Sequence, residues 1–552
     1  MIFLVVSAVF YSSASKVNAE AIVYVMFTFD TEDFLTPETN PVLGELVGIL
    51  NKHGVKGEFY IVAEKARVLA ERFPEVIEML SEHTIGYHQN GHSVHPTIAE
   101  YSNGKSWREA VEEAFKYETK RIDIYTGRLY MNDTGGIRLV EKIFNRTPST
   151  FRPPGYVWSA PALYALRELG VRSSSISSSF VEVTGYPLNW YLDVLQIPTA
   201  DLYLESYLVR GALNDLKNQF RSIYEEKRET GGLIIFGIHP CRLVTRAFWD
   251  SNYYNGRNPG SKFNIRLPPL YEEETIREAL KAFDEFLEYV KSYNNVKIVT
   301  SEYFLERASK FRLPDAFSSK ELSLIADYLL ENWAGRPPSY VELSDENFTS
   351  LSEAFIILTL ALSQYFNSGF FPETIDTSGS WISRAIGPTE MSNHSSEISV
   401  NISTLRCVIE DVLKRIKMNL EIPSKIEIGN STVGPADLLY AMAQVVRDVT
   451  EGKEISHDWT IRDFDEMPAL SENIRISYGW PCLPKGLNTS TQIEIARLQA
   501  WTLKPIPSIP TSPLEPKGLD VRLIVEIAVI CLFASLLSVS AIIIFKRMKR
   551  RR

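Results

Sequence analysis

Between about residues 22 and 313, short β-rich runs alternate with amphipathic helical stretches, and this alternation constrains the fold more than any other feature. Ile22–Phe29, Gly57–Val62, Thr150–Phe151, Gly232–Ile238 and Lys297–Thr300 read as strands. Pro41–His53, Val68–Ser81, Ser106–Ile122, Ala160–Leu169 and Glu273–Tyr293 read as helices. A chain of this pattern is expected to be α/β, with a parallel sheet or barrel. Chemistry in such folds gathers at the C-terminal ends of the strands.

Composition narrows the class. The chain has 552 residues, 45% hydrophobic and 23% charged, enough for two to four domains and not a disordered or fibrous sequence. The net charge of -10 argues against a general nucleic-acid binder, and four cysteines are too few for a disulfide framework.

The two ends predict a compartment. Residues 2–10 are almost all apolar and Val17-Asn18-Ala19 offers small residues for cleavage, so 1–19 reads as a secretory signal. Leu523 to Phe545 is a 23-residue run with one charge, Glu526, and at about 1.5 Å per residue it can cross a hydrocarbon core of about 30 Å. The tail 546–552, KRMKRRR, carries six positive charges and predicts a cytoplasmic end. The expectation is a single-pass cell-membrane protein with its bulk outside. Five prolines in 504–518 predict a stiff spacer, and seven N-x-S/T sequons fit an exposed, glycosylated surface.

From 315 to 503 the texture becomes helical and a repeat appears, at about 325–369 and 409–452. Each copy has a helix, a proline (Pro338, Pro423), a Φ-Glu-Φ strand, a turn and a second helix ending at Gly. This reads as a duplicated module rather than a second active site. Cys407 and Cys482 fall in this region and could pair in an oxidising exterior.

Four clusters carry chemistry. Asp30-Thr31-Glu32-Asp33 follows the first strand; acids this close repel unless a cation or a proton-transfer role offsets them, the plain alternative being a solvated turn. His88, His92 and His95 are three of the chain's eight histidines. A spacing of four puts His88 and His92 on one face of a helical turn, where two imidazoles can share a metal, zinc being the default ion. Arg152-Pro153-Pro154-Gly155-Tyr156 is a rigid extended loop in which Arg152 could orient a carboxylate and the Gly155 N–H could face an oxyanion. His239 ends the apolar strand Gly232–Ile238 and is placed as a general acid. Cys241 is expected to pack nearby.

In this order the four clusters resemble the polysaccharide deacetylase family, the NodB-homology domain of carbohydrate esterases. The resemblance implies a distorted (β/α) barrel over 20–314 and a metal-dependent site. It makes Asp30 the catalytic base, Arg152 its tether, His239 the proton donor, and His88 and His92 metal ligands. Thr31 stands where many members have the metal-binding aspartate, so the ligand shifts to Glu32 or Asp33, of which Asp33 is favoured. His95 becomes an extra residue lining the site. Gly155 and Tyr156 stand at the oxyanion and substrate side, and Trp190 is the nearest candidate for the family's tryptophan motif. The repeats loosely resemble cell-wall-binding repeats of the pseudomurein type.

The function implied is metal-dependent removal of N-acetyl groups from a surface or cell-wall polysaccharide, with zinc as the expected cofactor and no nucleic-acid partner. Two other readings stand beside it: a C–N hydrolase for a small substrate, and a glycan-binding protein with an inactive deacetylase-like domain.

Overall fold

The structure is a computed structural model that describes residues 21–507 apart from 393–396, 454–457 and 478. The expected signal (1–19), the remainder of the spacer (508–518), the apolar run 523–545 and the tail 546–552 lie outside the described residues. Among the described residues no helix is long and apolar enough to cross a membrane.

Eleven strands form one sheet. They are β1 (Val23–Thr31), β2 (Glu58–Ile61), β3 (Thr84–Tyr87), β4 (Thr150–Phe151), β5 (Ser173–Ser174), β6 (Asn189–Tyr191), β7 (Val194–Gln196), β8 (Leu202–Tyr203), β9 (Gly232–Ile238), β10 (Val296–Ile298) and β11 (Lys504–Pro505). Their order is β8-β9-β1-β2-β3-β4-β5-β7-β6-β11. Every pair from β8 to β7 is parallel; β6 runs antiparallel to β7 and to β11. On its other side from β9, β1 pairs with β10 through Val23–Val25 and with β2 through Thr28–Thr31. The fold is therefore α/β with a mainly parallel sheet. The path ends at β8 and β11, so among the described residues the expected distorted barrel is not shown to close.

All nine residues of β1 are buried, because helices and loops cover both faces of a central parallel strand. That is why it reads in sequence as an apolar run rather than an alternation. On one face Phe27 and Phe236 pack edge-on against Phe286 of the helix Glu273–Lys291.

Two expected helices are shorter than their patterns. Val68–Ser81 is two helices, Ala63–Arg72 and Pro74–Leu80, broken where Pro74 holds Phe73 outside the helical region at φ -139° and ψ 55°. Ser106–Ile122 is a helix only over Trp107–Tyr117, started by a Ser106/Glu109 capping box, and then gives way to a strand at Lys120–Ile122.

The second unit is built from two like halves. The first has helices α1 (Ser319–Glu331) and α2 (Leu351–Ser368), joined by the hairpin Val341–Ser344/Asn347–Thr349. The second has α3 (Ile402–Asn419) and α4 (Pro435–Thr450), joined by Ile426–Ile428/Ser431–Val433. In each, a strand before the first helix pairs with one after the second: Ala316–Ser318 with Thr374–Asp376, and Ile398–Asn401 with Asp458–Ile461. Helix α1 packs on α4 and α2 on α3, so the halves exchange partners reciprocally around one core.

The expected domain division at 314/315 is crossed by the end of the chain. Residues 471–507 return to the first unit as an arm, and Ile474, Ile476, Leu483, Ile495 and Leu503 join its core. The arm is bonded along its length: the Trp158 indole N–H donates to the Arg475 carbonyl at 3.3 Å, the Tyr191 hydroxyl to the Ala496 carbonyl at 2.8 Å, and Ile506 N–H to the Leu188 carbonyl at 3.0 Å. Lys504 and Pro505, expected to begin the spacer, are instead an edge strand of the sheet. A buried Lys504–Glu353 pair at 2.7 Å ties this strand to α2. A chain stopped after Pro314 should consequently be insoluble or melt well below the full chain; equal cooperative melting by calorimetry would contradict this packing.

Glu118 offers a second check. It is fully buried and accepts hydrogen bonds from the Tyr87 and Tyr101 hydroxyls, yet burial outweighs them and pushes its carboxyl up to about 7 from 4.5. A carboxyl raised in the folded state binds its proton more tightly there, so its contribution to stability falls as pH rises from 4.5 to 7. The loss amounts to about 3 kcal/mol at most. Glu118→Gln is expected to flatten that part of the stability–pH profile in denaturant titrations.

Candidate active site and metal centre

The C-terminal ends of β1, β3, β4, β8 and β9 converge on one buried cluster. β1 supplies Asp30 and, one residue past its end, Glu32. Residues two apart on an extended chain point the same way, so these two carboxylates share the site. Asp33 is one step out of phase and turns aside. Its Oδ1 accepts the N–H groups of Leu35 and Thr36 at 2.9 Å, forming a local turn, and its carbonyl accepts from Lys65 Nζ at 2.7 Å.

Asp30 and Glu32 meet different partners. Asp30 Oδ1 accepts from Arg152 at 2.9 Å. Burial alone would push the Asp30 carboxyl up; Arg152, with His88 and His239, outweighs it and holds the group below its ordinary value. Glu32 Oε2 lies 2.7 Å from His92 Nε2 and 3.8 Å from His88 Nε2, and these imidazoles hold its carboxyl well down against burial. Burial raises the Asp33 carboxyl even though the Lys65 charge acts on it.

The expected choice of Asp33 as metal ligand is thus corrected. Glu32, His88 and His92 are all buried, with one ligand atom of each within 4.8 Å of the others. The donor set fits a divalent cation such as zinc. The far nitrogens support this: His88 Nδ1 bonds the Arg152 carbonyl at 2.6 Å and His92 Nδ1 the Ser93 Oγ at 2.7 Å, directing both Nε2 atoms toward Glu32. Ser93 in turn donates to Asp250 at 3.3 Å. Burial holds His88 below its ordinary pKa.

The histidines do not share a helical turn, as their spacing had predicted. They lie on the loop after β3, which folds back through left-handed conformations at Gln89 (φ 70°) and His92 (φ 53°). His95 is not part of the site: its Nδ1 meets Glu100 at 2.6 Å and its Nε2 the Tyr253 carbonyl at 2.7 Å.

Arg152 holds two parts of the site at once. Its side chain binds Asp30 and the Thr28 hydroxyl at 2.9 Å and lies 4.3 Å over the Tyr60 ring, while its carbonyl orients His88. Beyond it, Gly155 lines the cavity, and the Tyr156 N–H is engaged by the Pro153 carbonyl at 3.2 Å. The Tyr156 hydroxyl bonds that of Tyr203 at 2.8 Å, and Tyr203 reaches Asp30 Oδ2 at 3.4 Å.

His239 Nε2 stands 3.6 Å from Asp30 Oδ2, and its Nδ1 bonds Glu205 at 2.9 Å. Burial opposes charge on this imidazole, but Glu205, Glu32 and Asp30 together push it up to about 9. At neutral pH Asp30 is therefore ionised beside a protonated His239, a ready base and a ready acid.

The open space beside these groups is a cavity of about 200 Å³, lined by Glu32, His92 and His239 together with Phe248, Trp480 and Pro481. Trp190 is elsewhere, under Arg312 at 4.3 Å from its ring. The tryptophans at the site are Trp249, whose indole N–H donates to Glu32 at 3.1 Å, and Trp480 from the arm. Cys241 lies 3.6 Å from Glu32 Oε1. Cys482 is buried here, 3.2 Å from Asp250, and Cys407 is exposed on α3; both are free thiols, which answers the open question of their pairing. Sequence reasoning missed Tyr203, Glu205, Trp249, Asp250 and Trp480. None has a short-range spacing that links it to the histidines or to Asp30.

No family model and no curated protein sequence matches the chain. Solved structures that resemble it include a candidate polysaccharide deacetylase from Mycobacterium smegmatis, at 14% identity and TM-score 0.34, over 53% of this chain and 92% of that one. PuuE allantoinase gives 14% identity and TM-score 0.32 over 53% and 92%. The 4-alpha-glucanotransferase of Thermococcus litoralis gives 10% and 0.33 over 56% of this chain and 46% of its own. At these scores the likeness carries no argument about function, which rests on the side-chain geometry.

Metal analysis of variants tests the ligand set. Glu32→Gln should lose stoichiometric zinc and Asp33→Asn should keep it. Ser93→Ala should weaken zinc binding about 10–100-fold through loss of His92 orientation.

Proposed function

We propose that this chain is a metal-dependent hydrolase that removes N-acetyl groups from a surface polysaccharide. The observation that carries the reading is the pairing of Asp30 and Glu32. Two carboxylates two residues apart are given different tasks by their partners, one held by Arg152 beside His239, the other facing two imidazoles.

Glu32, His88 and His92 would hold the cation, which supplies Lewis acidity next to the scissile carbonyl. Asp30 Oδ2 accepts a proton from the attacking water. Arg152 keeps Asp30 ionised and fixed. His239 Nε2 donates its proton to the departing amine nitrogen, and Glu205 holds the ring that carries it. The carbon–nitrogen bond breaks, acetate leaves with the water's oxygen, and the amine leaves with the proton from His239.

The polymeric substrate and the membrane location rest on sequence. The apolar run 523–545 with its basic tail supports a tether that presents the enzyme at a surface. Glycan docking by the repeats is supported by their resemblance alone; in the structure the second unit is what the arm is anchored to. The small cavity favours a second reading, a C–N hydrolase for a small substrate. The intact set of Asp30, Arg152, Glu205 and His239 weighs against an inactive binding domain.

Acetate release from N-acetylated glycan oligomers by the zinc-loaded chain tests the proposal. Release should stop with a chelator and fall about 10²–10⁴-fold in Asp30→Asn and in His239→Ala. Absence of release from polymeric and small amides alike, with zinc bound, would overturn it.

A further inference from the structure

We propose that Trp480, delivered by the C-terminal arm, sets the size of the acyl group this site accepts, admitting acetyl and excluding chains two methylenes longer. The inference rests on the hydrolase reading above and goes beyond it by assigning specificity to a residue outside the α/β unit's own strand ends.

Trp480 lies on the metal side of the cavity. Its indole stands edge-on to the His92 ring, with centroids 5.4 Å apart at 89°. It also lies directly on the turn after Arg152: a Cβ at Gly155 would fall 2.6 Å from the indole Cγ, so only glycine allows this contact. Across the cavity Phe248 stands edge-on to His239 at 5.2 Å. One aromatic ring thus flanks a metal ligand and another flanks the acid, and the space left between them is about 200 Å³. That is below the roughly 300–1,000 Å³ of ordinary ligand pockets. An acetamido group and a water fit such a space while a sugar ring stays at its mouth.

The wall is fastened immediately after Trp480. Asn255 N–H donates to the Pro481 carbonyl at 3.0 Å and Gly256 N–H to the Cys482 carbonyl at 2.8 Å. Cys482 Sγ bonds Asp250 at 3.2 Å, and a Cβ at Gly256 would meet Pro484 at 2.6 Å. A longer acyl chain therefore meets a ring that the arm cannot easily withdraw.

The test compares N-acetyl- and N-butyryl-glucosamine oligomers, using the full zinc-loaded chain in detergent. Each added methylene at a close-fitting wall is worth about tenfold or more, so with two more methylenes kcat/KM for butyryl should be at least about 100-fold lower in the wild type. Trp480→Ala should raise butyryl turnover and bring the two substrates within about threefold, with Trp480→Phe in between. Calorimetric binding of acetate and butyrate to the zinc-loaded protein gives a readout independent of turnover, with acetate preferred only while Trp480 is present. Equal use or binding of the two acyl groups by the wild type would overturn the proposal, as would an unchanged preference in folded, zinc-loaded Trp480→Ala. If no amide is cleaved, the hydrolase reading fails, and the carboxylate preference still decides the role of the wall.

Discussion

Three carboxylates buried within four residues, Asp30, Glu32 and Asp33, are the constraint on which the rest of this structure depends. Burying one unpaired charge costs several kcal/mol, and three side by side would not be held without compensation. The fold meets them from different elements: Arg152 after β4 pairs with Asp30, His88 and His92 after β3 face Glu32, and Asp33 turns into the backbone N–H groups of Leu35 and Thr36, with Lys65 on its carbonyl. Parallel strand order brings these elements together, because every strand that follows a helix delivers its C-terminal end to the same edge. The sheet is thus the means by which distant partners reach one short acidic segment.

Arg152 shows how tightly the parts are coupled. A single residue, followed by Pro153 and Pro154, binds Asp30 through its side chain and orients His88 through its carbonyl. A shift of the loop after β4 would disturb Asp30 and His88 together. The arm adds a further coupling. It passes from the second unit over the site, contributes Trp480 and Cys482, and ends as an edge strand, so the two units share a core and a cavity wall.

Much of the first unit was legible. Gly232–Ile238 is a strand with the bounds its apolar run predicts, and the β1 and β2 runs shift by only one or two residues, because doubly covered parallel strands leave uninterrupted apolar sequence. The ligand choice between Glu32 and Asp33 was also legible in principle, since a period of two aligns residue 32 with residue 30. The loop geometry of the histidines was not, as a spacing of four fits a helix equally well. Trp480 and Asp250 could not be found from sequence, because they reach the site through long-range packing that leaves no local pattern. The edge pairing of the sheet was not legible for a like reason: it depends on β11, more than 200 residues after β10.

The most direct measurement is X-ray anomalous scattering at the zinc edge from crystals of the zinc-loaded chain. One peak is expected between the Glu32 carboxylate and the Nε2 atoms of His88 and His92, with Asp33 turned away toward Lys65. A peak on Asp33, or no peak at the three side chains in protein that is otherwise folded as described, would contradict the assignment of partners to the buried acids.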